Sequence, residues 1–111
     1  MFSFSQVTSS IDSTNIKIGE EIRYTIEVQV DSTDVVIFPE GQTFSPLEMV
    51  DSYKTDTTFE QAKYRLIKKY GLTQFDSGKY TIPQQQVLIN NKPFATDSVK
   101  VEVRDVVVDT T

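Results

Sequence analysis

An all-β sandwich is the fold this sequence predicts, and three observations carry that reading. Apolar and polar residues alternate with period two: Ile22, Tyr24, Ile26, Val28 and Val30 against Glu21, Arg23, Thr25, Glu27 and Gln29. No window of about eleven residues holds the 3.6-residue period of an amphipathic helix. Asp76-Ser77-Gly78-Lys79-Tyr80-Thr81-Ile82 is a D-x-G-x-Y corner leading into a strand. In Greek-key sandwiches a tyrosine placed so sends its hydroxyl back to nearby backbone. Gly78 supplies a conformation that a residue with a Cβ resists. Together these predict an all-β, immunoglobulin-like Greek-key β-sandwich of seven to eight antiparallel strands, as a single domain over residues 1–111.

Taken in order, residues 1–6 fit no obvious strand. They read either as a frayed terminus or as the remnant of an export signal. Ile16 and Ile18 predict a short strand that stops at Gly19. The long alternating set from Ile22 to Val30 follows as a half-buried strand with one wet face. Val35-Val36-Ile37-Phe38, ended by Pro39, is a continuous apolar run and reads as a strand covered on both faces. A middle strand spans roughly 47–57. Glu60-Gln61-Ala62-Lys63 is the best helical fragment and is too short to hold.

Tyr64, Leu66, Lys68, Tyr70 and Leu72 then alternate, with Lys68 the polar member. Beyond the corner the apolar parity changes, from Tyr80 and Ile82 to Val87 and Ile89. Pro83 lies between and cannot donate to a ladder, so a bulge is expected there. Asn90-Asn91 predicts a two-residue turn, since Asn tolerates positive φ. Val99, Val101 and Val103 against Lys100, Glu102 and Arg104 close the fold.

Composition narrows the chemistry. The chain has no Cys and no His. Thiolate nucleophiles, Ser-His triads and His- or Cys-based zinc sites therefore drop out. No enzyme, catalytic residue or cofactor is expected. The net charge of −5 argues against a phosphate backbone as partner. Residues 1–60 hold 11 acids and 3 bases, while residues 61–111 hold 5 acids and 8 bases. That division suits oriented protein contacts or head-to-tail packing between sister domains. The plainer reading is solvated strand faces. No run approaches the ~20 apolar residues that span a bilayer, so no direct membrane insertion is expected of residues 1–111.

The sequence offers four candidate sites. Asp31, Asp34 and Glu40, and again Asp51, Asp56 and Glu60, cluster as calcium ligands do, but at the spacing of no known calcium loop. Lys63, Arg65, Lys68 and Lys69 interleave with Tyr64 and Tyr70; alternation separates most of the cations from the rings, so nucleic acid is not expected. The loop from Phe38 to Pro46 is stiffened by Pro39, Gly41 and Pro46 and bracketed by Phe38 and Phe44. Aromatic loops at the end of a sandwich often carry binding, which makes Phe38, Pro39, Phe44 and Pro46 a candidate interaction loop. The alternative is that both rings cap the core. Strand edges are the fourth candidate, with Pro83, Pro93 and the lysines reading as edge protection.

Several stretches together resemble the BatD-like, aerotolerance-associated family. Ile18-Gly19-Glu20-Glu21-Ile22-Arg23-Tyr24-Thr25-Ile26 is similar to its G-[DE]-x-[IV]-x-[YL]-x-[IV] opening strand. Lys69-Tyr70-Gly71-Leu72-Thr73 with Phe75-Asp76-Ser77-Gly78-Lys79-Tyr80-Thr81-Ile82-Pro83 resembles its Y-x-L-x-x-[FL]-x-x-G-x-Y-x-[IF]-P segment. Ser98 to Val103 sits where the closing strand does, and the polar wording is similar to versions from Bacteroidetes-type bacteria. The resemblance implies an extracytoplasmic domain on the periplasmic side of the inner membrane. Its parent would be anchored by a C-terminal helix, and its partners would be other proteins of the cell envelope or sister domains. It brings no catalytic residues. A carbohydrate- or surface-binding sandwich is the alternative, weakened by the lack of Trp.

Overall fold

The computed structural model describes residues 7–60 and 62–105. The expectations for residues 1–6 and for Gln61 lie outside them. Eleven strands form: β1 (Val7–Ile11), β2 (Asn15–Lys17), β3 (Ile22–Val30), β4 (Val36–Ile37), β5 (Glu48–Ser52), β6 (Asp56–Glu60), β7 (Lys63–Thr73), β8 (Gly78–Ile82), β9 (Gln86–Ile89), β10 (Lys92–Ala95) and β11 (Val99–Arg104). No helix forms among the described residues. The fold is all-β, as expected, but the expected count of seven to eight strands becomes, among the described residues, eleven in three sheets. One pair, β2 with β11, is parallel.

The largest sheet runs β1-β3-β7-β5, with β6 also on β7. β3 and β7 pair over nine positions, from Ile22 opposite Leu72 to Val30 opposite Tyr64. Ile22, Tyr24, Ile26, Val28 and Val30 are all buried, as alternation requires. β5 and β6 share the other flank of β7, and the expected middle strand is this edge broken in two. Register shifts at Val50, and the ladder is interrupted at Tyr53–Thr55 before β6 resumes. Such breaks twist an edge away from further pairing. Val7–Ile11, which no sequence argument selected, pairs with β3 and buries Val7.

The other two sheets are β10-β9-β4 and β2-β11-β8. They follow one another along a single hairpin. Val99 lies opposite Ile82 and Ala95 opposite Gln86, so residues 83–85 and 96–98 face each other as equal gaps. The expected bulge at Pro83 is therefore not a one-residue insertion. Both strands leave the ladder together, change face together and keep one register. Pro83 lacks an N–H for the ladder. Across the gap Thr96 N donates to Gln85 O at 2.8 Å, and Gln85 N donates to Thr96 Oγ1 at 2.9 Å. The hairpin closes on Asn90 (φ 51°) and Asn91 (φ 67°), the double positive φ of a type I′ turn.

One core takes side chains from all three sheets, among them Ile22, Tyr24 and Leu72, Ile16, Ile82 and Val101, and Val87 and Ile89. The run at Val35–Phe38 is a correction. Only Val36–Ile37 is strand, it lies at a sheet edge, and Val35 and Ile37 are 63% and 48% exposed.

Candidate functional site

The loop that follows β4 crosses from the β10-β9-β4 sheet to the β1-β3-β7-β5 sheet, and Pro39 near its start has no N–H to offer a ladder. Its second ring, Phe44, is fully buried. The ring centroid lies 5.3 Å from Tyr24 and 5.0 Å from Tyr70, in edge and tilted geometry. The Tyr70 hydroxyl donates to Pro39 O at 2.8 Å. Burial, helped by the Glu40 charge, pushes that phenol well above its ordinary range. Phe44 is therefore core, and of the four loop residues singled out it is withdrawn from any partner.

Three glutamines stitch the loop down. Gln42 donates to Met49 O at 3.2 Å and accepts from Met49 N at 3.0 Å. Gln85 donates through Nε2 to Thr43 O and Pro83 O, and its Oε1 accepts from Thr43 Oγ1 at 2.6 Å. Gln74 Nε2 donates to Pro46 O at 2.7 Å, beside the cis Ser45–Pro46 bond. Gln85 is buried, and sequence reasoning missed it. Its one signal was a polar residue placed where the parity of the hairpin changes.

Beside the loop lies a groove of about 420 Å³. β4 with Phe38 and Pro39 forms one wall, Met49 and Ser52 of β5 the other, and Lys68 and Tyr70 lie between. Lys68 points inward, donates through Nζ to Tyr53 O, and lies 5.5 Å from the Tyr70 ring centroid. β4 and β5 are both edge strands, and the backbone of β5 at Met49 is already taken by Gln42, which leaves β4 as the edge beside the groove. A groove beside a strand edge can take side-chain contacts and an added strand.

At the corner, Tyr80 Oη donates to Asp76 O at 2.9 Å and lies 3.3 Å from Ser77 O. Gly78 adopts φ +147°. The corner thus fastens β8 and is structural.

Of the acidic candidates, Asp31 and Asp34 are engaged locally. Asp31 accepts from Lys63 Nζ at 2.9 Å. Asp34 accepts from Asp31 N and Asn90 Nδ2, bonds that hold its carboxyl below the ordinary value. Among the described residues no three His, Cys, Asp or Glu side chains gather as a metal site. Tyr64 and Tyr70 turn towards the core while Arg65 and Lys69 lie on the opposite parity of β7.

The fold and this site define a small all-β, sandwich-like domain with a stitched loop and an edge groove. The family described as BatD DUF11 like domain matches residues 9–103, and the chain belongs to it. No curated protein and no solved structure matches the chain.

Proposed function

We propose that this is a non-catalytic protein-interaction and scaffolding domain of a BatD-like protein, held on the extracytoplasmic side of the inner membrane and linked to aerotolerance. The family match supports the parent protein. The groove between β4 and β5 supports the interaction role and is the observation that carries it. Its occupant would be an extended segment of another envelope protein, adding to β4 and placing alternate side chains against Phe38 and Met49. The immunoglobulin-like Greek-key reading is part of this proposal. Its support is the shared register of β8-β9 with β10-β11, by which the two smaller sheets would act as one bent layer opposite β1-β3-β7-β5.

The test uses the 111-residue chain as bait for solubilised envelope proteins. Partners that bind the wild type should be lost with Ile37→Lys, a half-exposed edge position where the fold tolerates charge. Capture unaffected by that change would remove the groove from the proposal. Capture of nothing across solubilisation conditions would remove the function.

A further inference from the structure

The outer face of the β2-β11-β8 sheet is basic. Alternation turns Ile16, Ile82, Val101 and Val103 inward and leaves Lys17, Lys79, Lys100 and Arg104 outside, with Glu102 opposite Lys79 as the one carboxylate on these strands and Glu20 accepting from Lys17 N beside them. None of these four cations forms an ion pair among the described residues. Lys17 and Arg104 are direct register partners, two like charges placed opposite each other. Like charges so placed repel, and a carboxylate brought beside them offsets that repulsion. A shallow groove of about 430 Å³ runs across the same face, lined by Asn15, Lys79, Tyr80, Thr81, Lys100 and Glu102.

The other layer carries the opposite sign along its β5-β6 edge. Glu48, Asp51 and Asp56 are exposed and form no ion pair among the described residues, and Lys54 is the single base between Glu48 and Glu60. Register places all three outward: Glu48 opposite Thr73, Asp51 opposite Gly71 and Asp56 opposite Ile67, the parity that faces away from the core. Of the bases on the outward parity of β7, Arg65 pairs with Glu60 at 3.5 Å and Lys63 with Asp31, and Lys69 stands without an ion pair among the described residues. The two surfaces therefore carry unpaired charge of mainly opposite sign, basic on β2-β11-β8 and acidic along β5-β6.

We infer that the basic β2-β11-β8 face binds the acidic β5-β6 edge of a second copy of this chain. The contact is heterologous, head to tail, so each copy keeps one free face and further copies can add. It uses the outward side chains of β5 and β6, whereas the groove is lined by Met49 and Ser52 on the other parity of β5, so the failure of either proposal leaves the other standing.

Paired charge reversals test it. Lys100→Glu/Arg104→Glu reverses the basic face, and it also sets a carboxylate opposite Lys17, so the fold gains an ion pair. Asp51→Lys/Asp56→Lys reverses the edge at exposed positions. In low salt the wild-type chain should gain weight-average mass in sedimentation between about 10 µM and about 1 mM. That range reaches the effective concentration a short linker gives neighbouring domains. About 0.5 M NaCl should abolish the gain. Each variant alone should stay monomeric, and an equal mixture of the two should associate, because each restores the complement the other lost. A monomeric wild type throughout, or variants that associate alone, would overturn the inference. So would wild-type chain that binds phosphatidylglycerol vesicles without self-association, which would give the basic face to a lipid surface.

Discussion

The Glu21 carboxyl group lies across Gly71 on the outer face of the β3-β7 pair. A Cβ built on Gly71 would stand 2.7 Å from Glu21 Cδ. The glycine makes room for a small polar cluster. Tyr53 Oη donates to Glu21 Oε2 at 2.9 Å, and Arg23 stacks 4.8 Å over the Tyr53 ring.

Gly71→Ala should therefore displace the Glu21 side chain and cost about 0.5–1 kcal/mol, the scale of one exposed hydrogen bond. With Glu21→Ala already in place, the same change should be neutral or slightly stabilising, since Ala fits a strand better than Gly. Chemical denaturation of the four proteins of this double-mutant cycle measures the coupling. Additive effects would show that the carboxylate position does not depend on the glycine.

Phe44→Ala should be the most damaging loop substitution, about 3–5 kcal/mol, because it empties the space between Tyr24 and Tyr70. Phe38→Ala, at a half-buried position on the groove wall, should cost less than about 2 kcal/mol. Thermal denaturation of the two variants ranks them. An equal loss would place Phe38 in the core as firmly as Phe44.

Tyr80→Phe deletes the bond to Asp76 O and should cost about 1 kcal/mol. Gly78→Ala should cost more, since it puts a side chain at φ +147° with its Cβ 3.4 Å from Tyr80 Oη. Both effects should appear in unfolding midpoints while partner capture by the folded chain stays unchanged.

Asp34 is held below its ordinary value of 3.8, first by the Asp31 backbone N–H and then by Asn90. A carboxylate shifted down stabilises the fold above that value, and the contribution fades as pH falls through the lower folded-state value. Asp34→Ala should lower the melting temperature at neutral pH, and the gap to wild type should close in acid. A gap independent of pH would mean that the lost bonds do not depend on charge.

The regular parts of this fold were legible because their residues obey a local rule. The five apolar residues of β3 are all buried, Asn90-Asn91 makes its turn, and Tyr80 makes its corner. What escaped depends on partners distant in sequence. The division of the middle strand into β5 and β6 is a property of its register on β7, invisible in residues 47–57 alone. The unchanged register across Pro83 needs the opposite strand to be seen, because 96–98 bends in step with 83–85. For the loop, composition marked Phe38 and Phe44 alike. Only the two tyrosines that enclose Phe44 separate core from groove.

The parallel β2-β11 pair joins a strand near the start of the described chain to the strand near its end. Tension applied through the two ends would first peel β1 from β3 and would then pull β2 and β11 past each other along their length. Parallel strands loaded in opposite directions share the force among all their cross-links at once, whereas an antiparallel hairpin unzips one link at a time. Three register positions, reinforced by Ile18 N to Arg104 O at 2.9 Å and Glu102 N to Thr14 O at 2.8 Å, thus form a mechanical clamp. In a chain tethered at one end, this clamp would set the pulling force at which the domain gives way.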